Sequence, residues 1–174
     1  DNSETGVSYQ LRLNGTTNIG APVAGTGAAI SFGAQTLVGS YTVIATAANG
    51  CSNTMNGTAV IDPLPVVFTM TPAGPLCANS AIGLNGSETG VNYVLVLDGT
   101  LNIDTIPGTG AAISFGLQTT TGTYTVYAFN STTFCQVNMN GSLVMEQQPV
   151  AFNMTPAGIA CVGSVIGLDN SETG

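Results

Sequence analysis

Four cysteines are the side chains of this chain best suited to covalent chemistry. They fall in two matched pairs, Cys51 with Cys135 and Cys77 with Cys161, each pair 84 residues apart. The chain has no His, and no CxxC pair stands among the cysteines, so they do not read as a zinc site. Disulfides in an oxidising compartment are the better reading, with buried free thiols the alternative. The carboxylates come next. Glu4, Glu88 and Glu172 recur in one turn motif, and Asp98 and Asp104 sit near each other in the middle of the chain. Paired carboxylates can hydrolyse glycosides, and clustered ones can hold calcium. Here no DxDxD-like cluster exists, Asp98 is replaced by Asn14 in the other copy, and Asp104 has no acidic counterpart. They read as turn residues and solvated charge, with a weak calcium site at a domain junction as the residual alternative. Serines are plentiful, but a nucleophilic serine needs a base, and the chain has neither His nor Lys. The glycines of Gly108 to Gly116 lead into a strand without a Lys, which is not a phosphate loop. The expectation is a non-catalytic protein without cofactor or metal.

Composition narrows the partners. The formal charge is −8, and Arg12 is the one basic side chain. Such a chain repels nucleic acid and anionic membrane surfaces alike. No apolar run reaches the 18 residues of a membrane span, and no secretory leader pattern is seen. Charged residues make up only 6% of the chain, so Ser, Thr, Asn and Gly must dress its surface. That fits an extracellular protein, and a glycosylated one. Six asparagines, Asn14, Asn56, Asn85, Asn130, Asn140 and Asn153, open N-x-S/T sequons.

These residues are positioned by a repeat. DNSETG at Asp1 to Gly6 returns as NGSETG at Asn85 to Gly90 and as DNSETG at Asp169 to Gly174. GTGAAISFG occurs at Gly25 and Gly108, and MTPAG at Met70 and Met154. An 84-residue period means one small domain per copy, in tandem. Within a copy, short alternating runs separated by turn signals predict an all-β, immunoglobulin-like sandwich. Expected strands cover Val66 to Met70, Ser80 to Leu84, a run with Tyr93, Leu95 and Leu97 inward, Ala112 to Phe115, and a run with Tyr124, Val126 and Ala128 inward. A last strand runs from Cys135 towards Glu146 with a bulge at Asn140-Gly141. Asp98-Gly99 and Asn14-Gly15 predict type I′ hairpins. Residues 1–62 then form a partial repeat lacking its first two strands, 63–146 a complete one, and 147–174 the first strands of a third. Either the sequence is a window on a longer polypeptide, or the tail strands complete another copy. The window is the simpler account.

SETGVxYxLxLNG, GTGAAISFG, GTYTV and MNG, with a Pro-led strand before a single Cys, resemble the tandem repeats of giant secreted surface proteins of Bacteroidota, including gliding-adhesin-like and extracellular filament proteins. The resemblance covers the whole chain and implies secretion, surface attachment and adhesion or filament roles; it carries no catalytic residues. Asp104-Thr105-Ile106 also resembles an O-glycosylation motif used in Bacteroidota, which makes Thr105 the preferred acceptor. In a standard immunoglobulin topology Cys77 and Cys135 lie some 30 Å apart, beyond the roughly 7 Å a disulfide allows. The expected bonds are therefore between neighbouring domains, Cys135 to the Cys77 equivalent of the preceding unit. A Cys77–Cys135 bond under a non-standard topology is the alternative. The expected function is a structural and adhesive repeat of an extracellular filament or cell-surface stalk. Its partners are neighbouring repeats or copies of itself in a linear fibre. A repeated carbohydrate-binding module or a spacer of a secreted enzyme is the alternative, the former with surface glycans as partners. Against a glycan platform, Trp is absent and Tyr127 is Ile44 in the other copy.

Overall fold

Alternating apolar and polar side chains set the strands, and Asn-Gly or Asp-Gly pairs set the hairpins between them. The computed structural model describes residues 2–171, in which every regular element is a β-strand. The chain divides into two units, Asp1–Leu64 and Pro65–Gly174.

In the first unit, β1 (Val7–Leu13), β2 (Thr17–Ala24), β3 (Gly39–Ala47) and β4 (Ser52–Thr54) form one antiparallel sheet in the order β2-β1-β3-β4. A fifth strand, β5 (Ala59–Ile61), pairs with the start of β3. Asn14 and Gly15 turn the chain from β1 to β2 with φ of 51° and 77°. Both angles are left-handed, as a type I′ turn requires, and Asn and Gly tolerate them best. Tyr9, Leu11, Tyr41 and Ala45 are the buried hydrophobics of this unit.

Most of the second unit is a sandwich of two sheets. One sheet runs β11 (Ile113–Gln118), β8 (Ser80–Leu84), β6 (Met70–Thr71). The other runs β10 (Leu101–Pro107), β9 (Val91–Leu97), β12 (Gly122–Asn130), β14 (Leu143–Glu146), β7 (Leu76–Cys77), with β13 (Gln136–Asn138) also on β12. Alternate side chains of both sheets meet in one core: Met70, Ile82, Leu84 and Phe115 from the first, and Tyr93, Leu95, Tyr124, Val126 and Ala128 from the second. This is the immunoglobulin-like arrangement, with β7 parallel to β14 at one edge. Residues beyond it form a two-stranded ribbon, β15 (Met154–Thr155) with β16 (Gly167–Leu168).

Three details depart from the strand pattern read in the sequence. The last strand is not continuous: it divides into β13 and β14, and Asn140 leaves the sheet between them. Its amide donates to the Phe68 carbonyl at 2.8 Å, and its carbonyl accepts from the Met70 amide at 3.0 Å. What reads as a bulge is a crossing that ties the two sheets together. The first strand is shorter than Val66 to Met70, because the amides of Val66 and Phe68 donate to side chains, Glu88 Oε2 and Met139 Sδ. Finally, Val94 and Val96 face away from the core yet are buried. Val94 is flanked across its strand by Thr105 and Tyr127, and Val96 by Asn102 and Thr125.

The two units also differ in a segment they share in sequence. Ile113 to Gln118 pairs only with β8. Its counterpart in the first unit, Ile30 to Gln35, is not a strand. Residues 2–64 hold no copy of β8, so those backbone groups find no ladder there.

Candidate functional site

The repeated SETG and GTGAA motifs meet in space, and the meeting explains both. Ser87 Oγ donates to the Ala111 carbonyl at 2.6 Å and accepts from the Thr109 amide at 2.9 Å. Ser3 makes the same pair with Ala28 at 2.6 Å and Thr26 at 3.0 Å. Both serines are buried. With its proton and a lone pair committed to backbone, this hydroxyl is a clasp and not a nucleophile. Beside it, the Glu88 amide donates to Tyr93 Oη at 2.8 Å, and Glu4 does so to Tyr9 at 2.8 Å. Gly108 and Gly25 lie against the carbonyls of Glu88 and Glu4, where any Cβ would collide with the carbonyl oxygen. A second tyrosine pair anchors the strand opposite. Tyr124 Oη donates to the Thr120 carbonyl at 2.8 Å, and Tyr41 to Leu37 at 2.7 Å. This is the tyrosine corner of β-sandwiches.

Burial pushes the Tyr93 pKa up; the amide hydrogen bond from Glu88 opposes the rise, and the Glu88 charge adds to it. Burial likewise raises Tyr124, opposed by the side-chain hydroxyl of Thr120 and reinforced by the charge of Asp98.

The carboxylates serve as local acceptors. Glu88 Oε2 accepts from the Val66 amide at 2.6 Å. Asp98 Oδ1 accepts from Thr123 at 2.8 Å, and Asn14 Oδ1 from Ser40 at 3.0 Å. An Asn and an Asp therefore interchange because both offer the same oxygen to the same amide. Asp104 Oδ1 accepts from the Thr105 amide at 2.7 Å. Among the described residues, no three His, Cys, Asp or Glu side chains converge as a metal set. Glu172 lies outside the described residues.

The cysteines are all unbridged; Cys51, Cys77 and Cys161 are exposed and Cys135 is half-buried. Cys77 pairs with Glu146, next to Met145 opposite Gly122 at the start of β12. The Cys135 carbonyl accepts from Asn130 at the end of β12. The length of β12 thus separates them, about 26 Å at 3.3 Å per residue. The sequon asparagines sit on turns and strand ends. Asn14, Asn56, Asn85, Asn140 and Asn153 are exposed, and Asn130 is half-buried. Asn85 Oδ1 caps the Thr69 amide, Asn130 Oδ1 caps Thr132 and Thr133, Asn140 Nδ2 reaches Thr69 Oγ1, and Asn153 Nδ2 reaches Asp169. Thr105 is exposed on β10, the edge strand.

Two surfaces remain. On the outer face of the second unit, the rings of Tyr127 and Phe129 stand 6.4 Å apart and tilted by 35°. A shallow depression beside Tyr127 is lined by Asn102, Thr125 and Asn138. The sequence reading did not single out Phe129, since its counterpart is Thr46. On the inner face of the first unit, Val7, Tyr9, Phe32, Val43 and Met55 line a run of open depressions.

No family model matches the sequence, and no curated protein matches it. Among solved structures the chain is similar to the Bacteroides ovatus mixed-linkage glucan utilization locus protein SGBP-B, in complex with a mixed-linkage heptasaccharide. Identity is 13% and the TM-score 0.31, over 83% of this chain and 40% of that one. It is also similar to fibronectin(III)-like modules of Clostridium thermocellum CbhA, at 11% identity and a TM-score of 0.32, over 84% and 81% of the two chains. At these scores neither likeness carries the functional reading, and the sandwich assignment rests on the sheets and core of this chain.

The clasp generates two expectations. Ser87→Ala removes the side-chain partner of the Thr109 amide and the Ala111 carbonyl, so chemical denaturation of the second unit should show a loss of about 1 to 2 kcal/mol; a loss under about 0.5 kcal/mol would mean the hydroxyl is dispensable. Alkaline pH should also weaken the fold. Tyr93 and Tyr124 titrate higher folded than unfolded, so the native state holds more protons above the ordinary tyrosine pKa of about 10. Stability is then fully present below about pH 10 and is lost as pH rises through the raised folded values. Thermal melts between pH 8 and 12 check this, and Tyr93→Phe should flatten the alkaline slope; a slope unchanged by that variant would contradict it.

Proposed function

We propose that the chain is a non-catalytic structural and adhesive array of sandwich domains from an extracellular filament or cell-surface stalk. The observation that supports this best is the duplication of the clasp. Both units use the same serine, tyrosine and glycine positions at hydrogen-bond distances matching within 0.1 Å. What repeats is scaffold, while side chains able to do chemistry serve as turn acceptors. A chain with a charge of −8 and 6% charged residues suits an extracellular setting. In this reading residues 63–146 are one full repeat, and 1–62 and 147–174 belong to its neighbours. The short junctions Asp62-Pro63-Leu64-Pro65 and Glu146-Gln147-Gln148-Pro149 leave little slack between them. Thr105 carries a glycan on its exposed edge, and disulfides join neighbouring units, Cys135 to the Cys77 equivalent of the unit before it.

A glycan-binding role has one observation in its favour, the Tyr127–Phe129 pair beside Asn102 and Asn138. The first unit has Ile44 and Thr46 there, so the platform is not repeated for avidity. A glycan array probed with the chain and with Tyr127→Ala separates the readings; signal lost in the variant would favour the binding module.

Electron microscopy of the native assembly should show a thin fibre with an axial repeat of about 35 to 45 Å. Globular particles of one to three domains would contradict it. On the same material, intact mass should exceed that of the bare polypeptide, and unreduced peptide maps should show cross-linked cysteines. An unmodified mass removes the glycan, and four free thiols remove the staples.

A further inference from the structure

The two copies agree where they hold the fold together and part on one outer face. Most aromatic side chains recur in kind: Tyr9 with Tyr93, Phe32 with Phe115, Tyr41 with Tyr124 and Phe68 with Phe152. Tyr127, Phe129 and Phe134 do not, and Ile44, Thr46 and Gly50 stand in their places. All three belong to one hairpin, the first two on β12 and Phe134 in the turn before β13. Phe134 is 75% exposed at a φ of 59°, a left-handed angle that Gly50 takes at 86° with no side chain to strain it. A ring held there costs stability and gains little burial in return, so the fold does not account for it.

The rest of the face differs in the same direction. Val96, which lines the depression beside Tyr127, replaces Arg12. Gln136 and Asn138, opposite Phe129 and Tyr127 across the ladder, replace Ser52 and Thr54. A cation and two small hydroxyls thus give way to an apolar side chain and two carboxamides. The amides of Asn102, Gln136 and Asn138 are exposed and have no protein partner among the described residues, whereas those of Gln10, Gln35 and Gln118 bond to backbone carbonyls. Each such carboxamide has two donors and an acceptor to offer. Two depressions meet at Tyr127 and Asn138, one reaching Asn102 and the other Gln136, and no charged side chain lines either.

We infer that this outer face of the second unit binds a neutral oligosaccharide. The apolar C–H faces of neighbouring sugar rings stack on Tyr127 and Phe129, whose rings stand 6.4 Å apart. The hydroxyls at the ring edges exchange hydrogen bonds with Asn102, Gln136 and Asn138. Aromatic area for affinity and a few polar groups for orientation are what a small-molecule site requires. An ionic ligand finds no counter-charge here. An apolar protein surface would cover the three amides without bonding them, a cost that a polyol does not incur. This deepens the adhesive reading, on which it rests for the extracellular setting: the contact with glycan is made by this repeat and not by every one.

The first unit supplies the control. Tyr127→Ile with Phe129→Thr gives β12 the residues that β3 already carries at Ile44 and Thr46, so the variant keeps a strand that folds. The 174-residue chain, made without glycans so that Thr105 is bare, is titrated calorimetrically with neutral hexasaccharides of glucose, xylose and mannose. Oligogalacturonate serves as the acidic control. At least one neutral sugar should bind, and the double variant should bind it about tenfold more weakly or worse. Binding of none of the three overturns the inference, as does binding that the variant retains or a preference for the acidic sugar. Dimers that depend on Tyr127 in light scattering, without sugar binding, assign the face to a second copy and overturn it too. None of these outcomes touches the fibre, which the axial repeat in electron microscopy decides.

Discussion

One buried hydroxyl per unit fixes the geometry on which the rest of this fold depends. Ser87 holds the turn before β9 to the segment after β10, binding an amide and a carbonyl that have no ladder of their own. Each of these hydrogen bonds is worth about 1 kcal/mol, so the turn and the return segment support one another. Once they are joined, Gly108 closes over the Glu88 carbonyl, Tyr93 Oη caps the Glu88 amide, and Tyr93 becomes a wholly buried core side chain. Ser3 starts the same sequence of contacts in the first unit. The surface can then be almost uncharged, because specificity comes from backbone contacts at the sheet ends.

The two units together show what a sheet needs from its partner. With β8 present, Ile113 to Gln118 is a strand, and Phe115 is buried. In residues 2–64 the same sequence neighbourhood, Ile30 to Gln35, is not a strand, and Phe32 is only half-buried. Segments that differ only at Leu117 and Ala34 thus take different states according to whether a ladder is offered. Strand structure here follows from pairing more than from local preference.

Much of this was legible in the residues. Asp98-Gly99 and Asn14-Gly15 announced left-handed turns, and φ values near 50° at the first residue and above 70° at the second are found there. Tyr124, Val126 and Ala128 alternated as an inward face and are buried. Ser80–Leu84 is a strand with the bounds that its flanking turns suggested. The clasp was hidden, because Ser87 meets Thr109 and Ala111 more than twenty residues away, and a turn motif does not name its distant partner. Val94 and Val96 broke the alternation rule for a similar reason, since cross-strand neighbours bury them on the outer face. Asn140-Gly141 looked like a bulge, and only the second sheet reveals it as a crossing.

The central claim is that the chain repeats one sandwich in which two strands equivalent to Met70–Thr71 and Ser80–Leu84 cover every inner face. Amide hydrogen exchange in the native assembly tests this residue by residue. The account predicts that Ile30, Met154 and Leu168 exchange as slowly as Ile113, Met70 and Leu84. Rapid exchange at the first three, with the last three still protected, would contradict it.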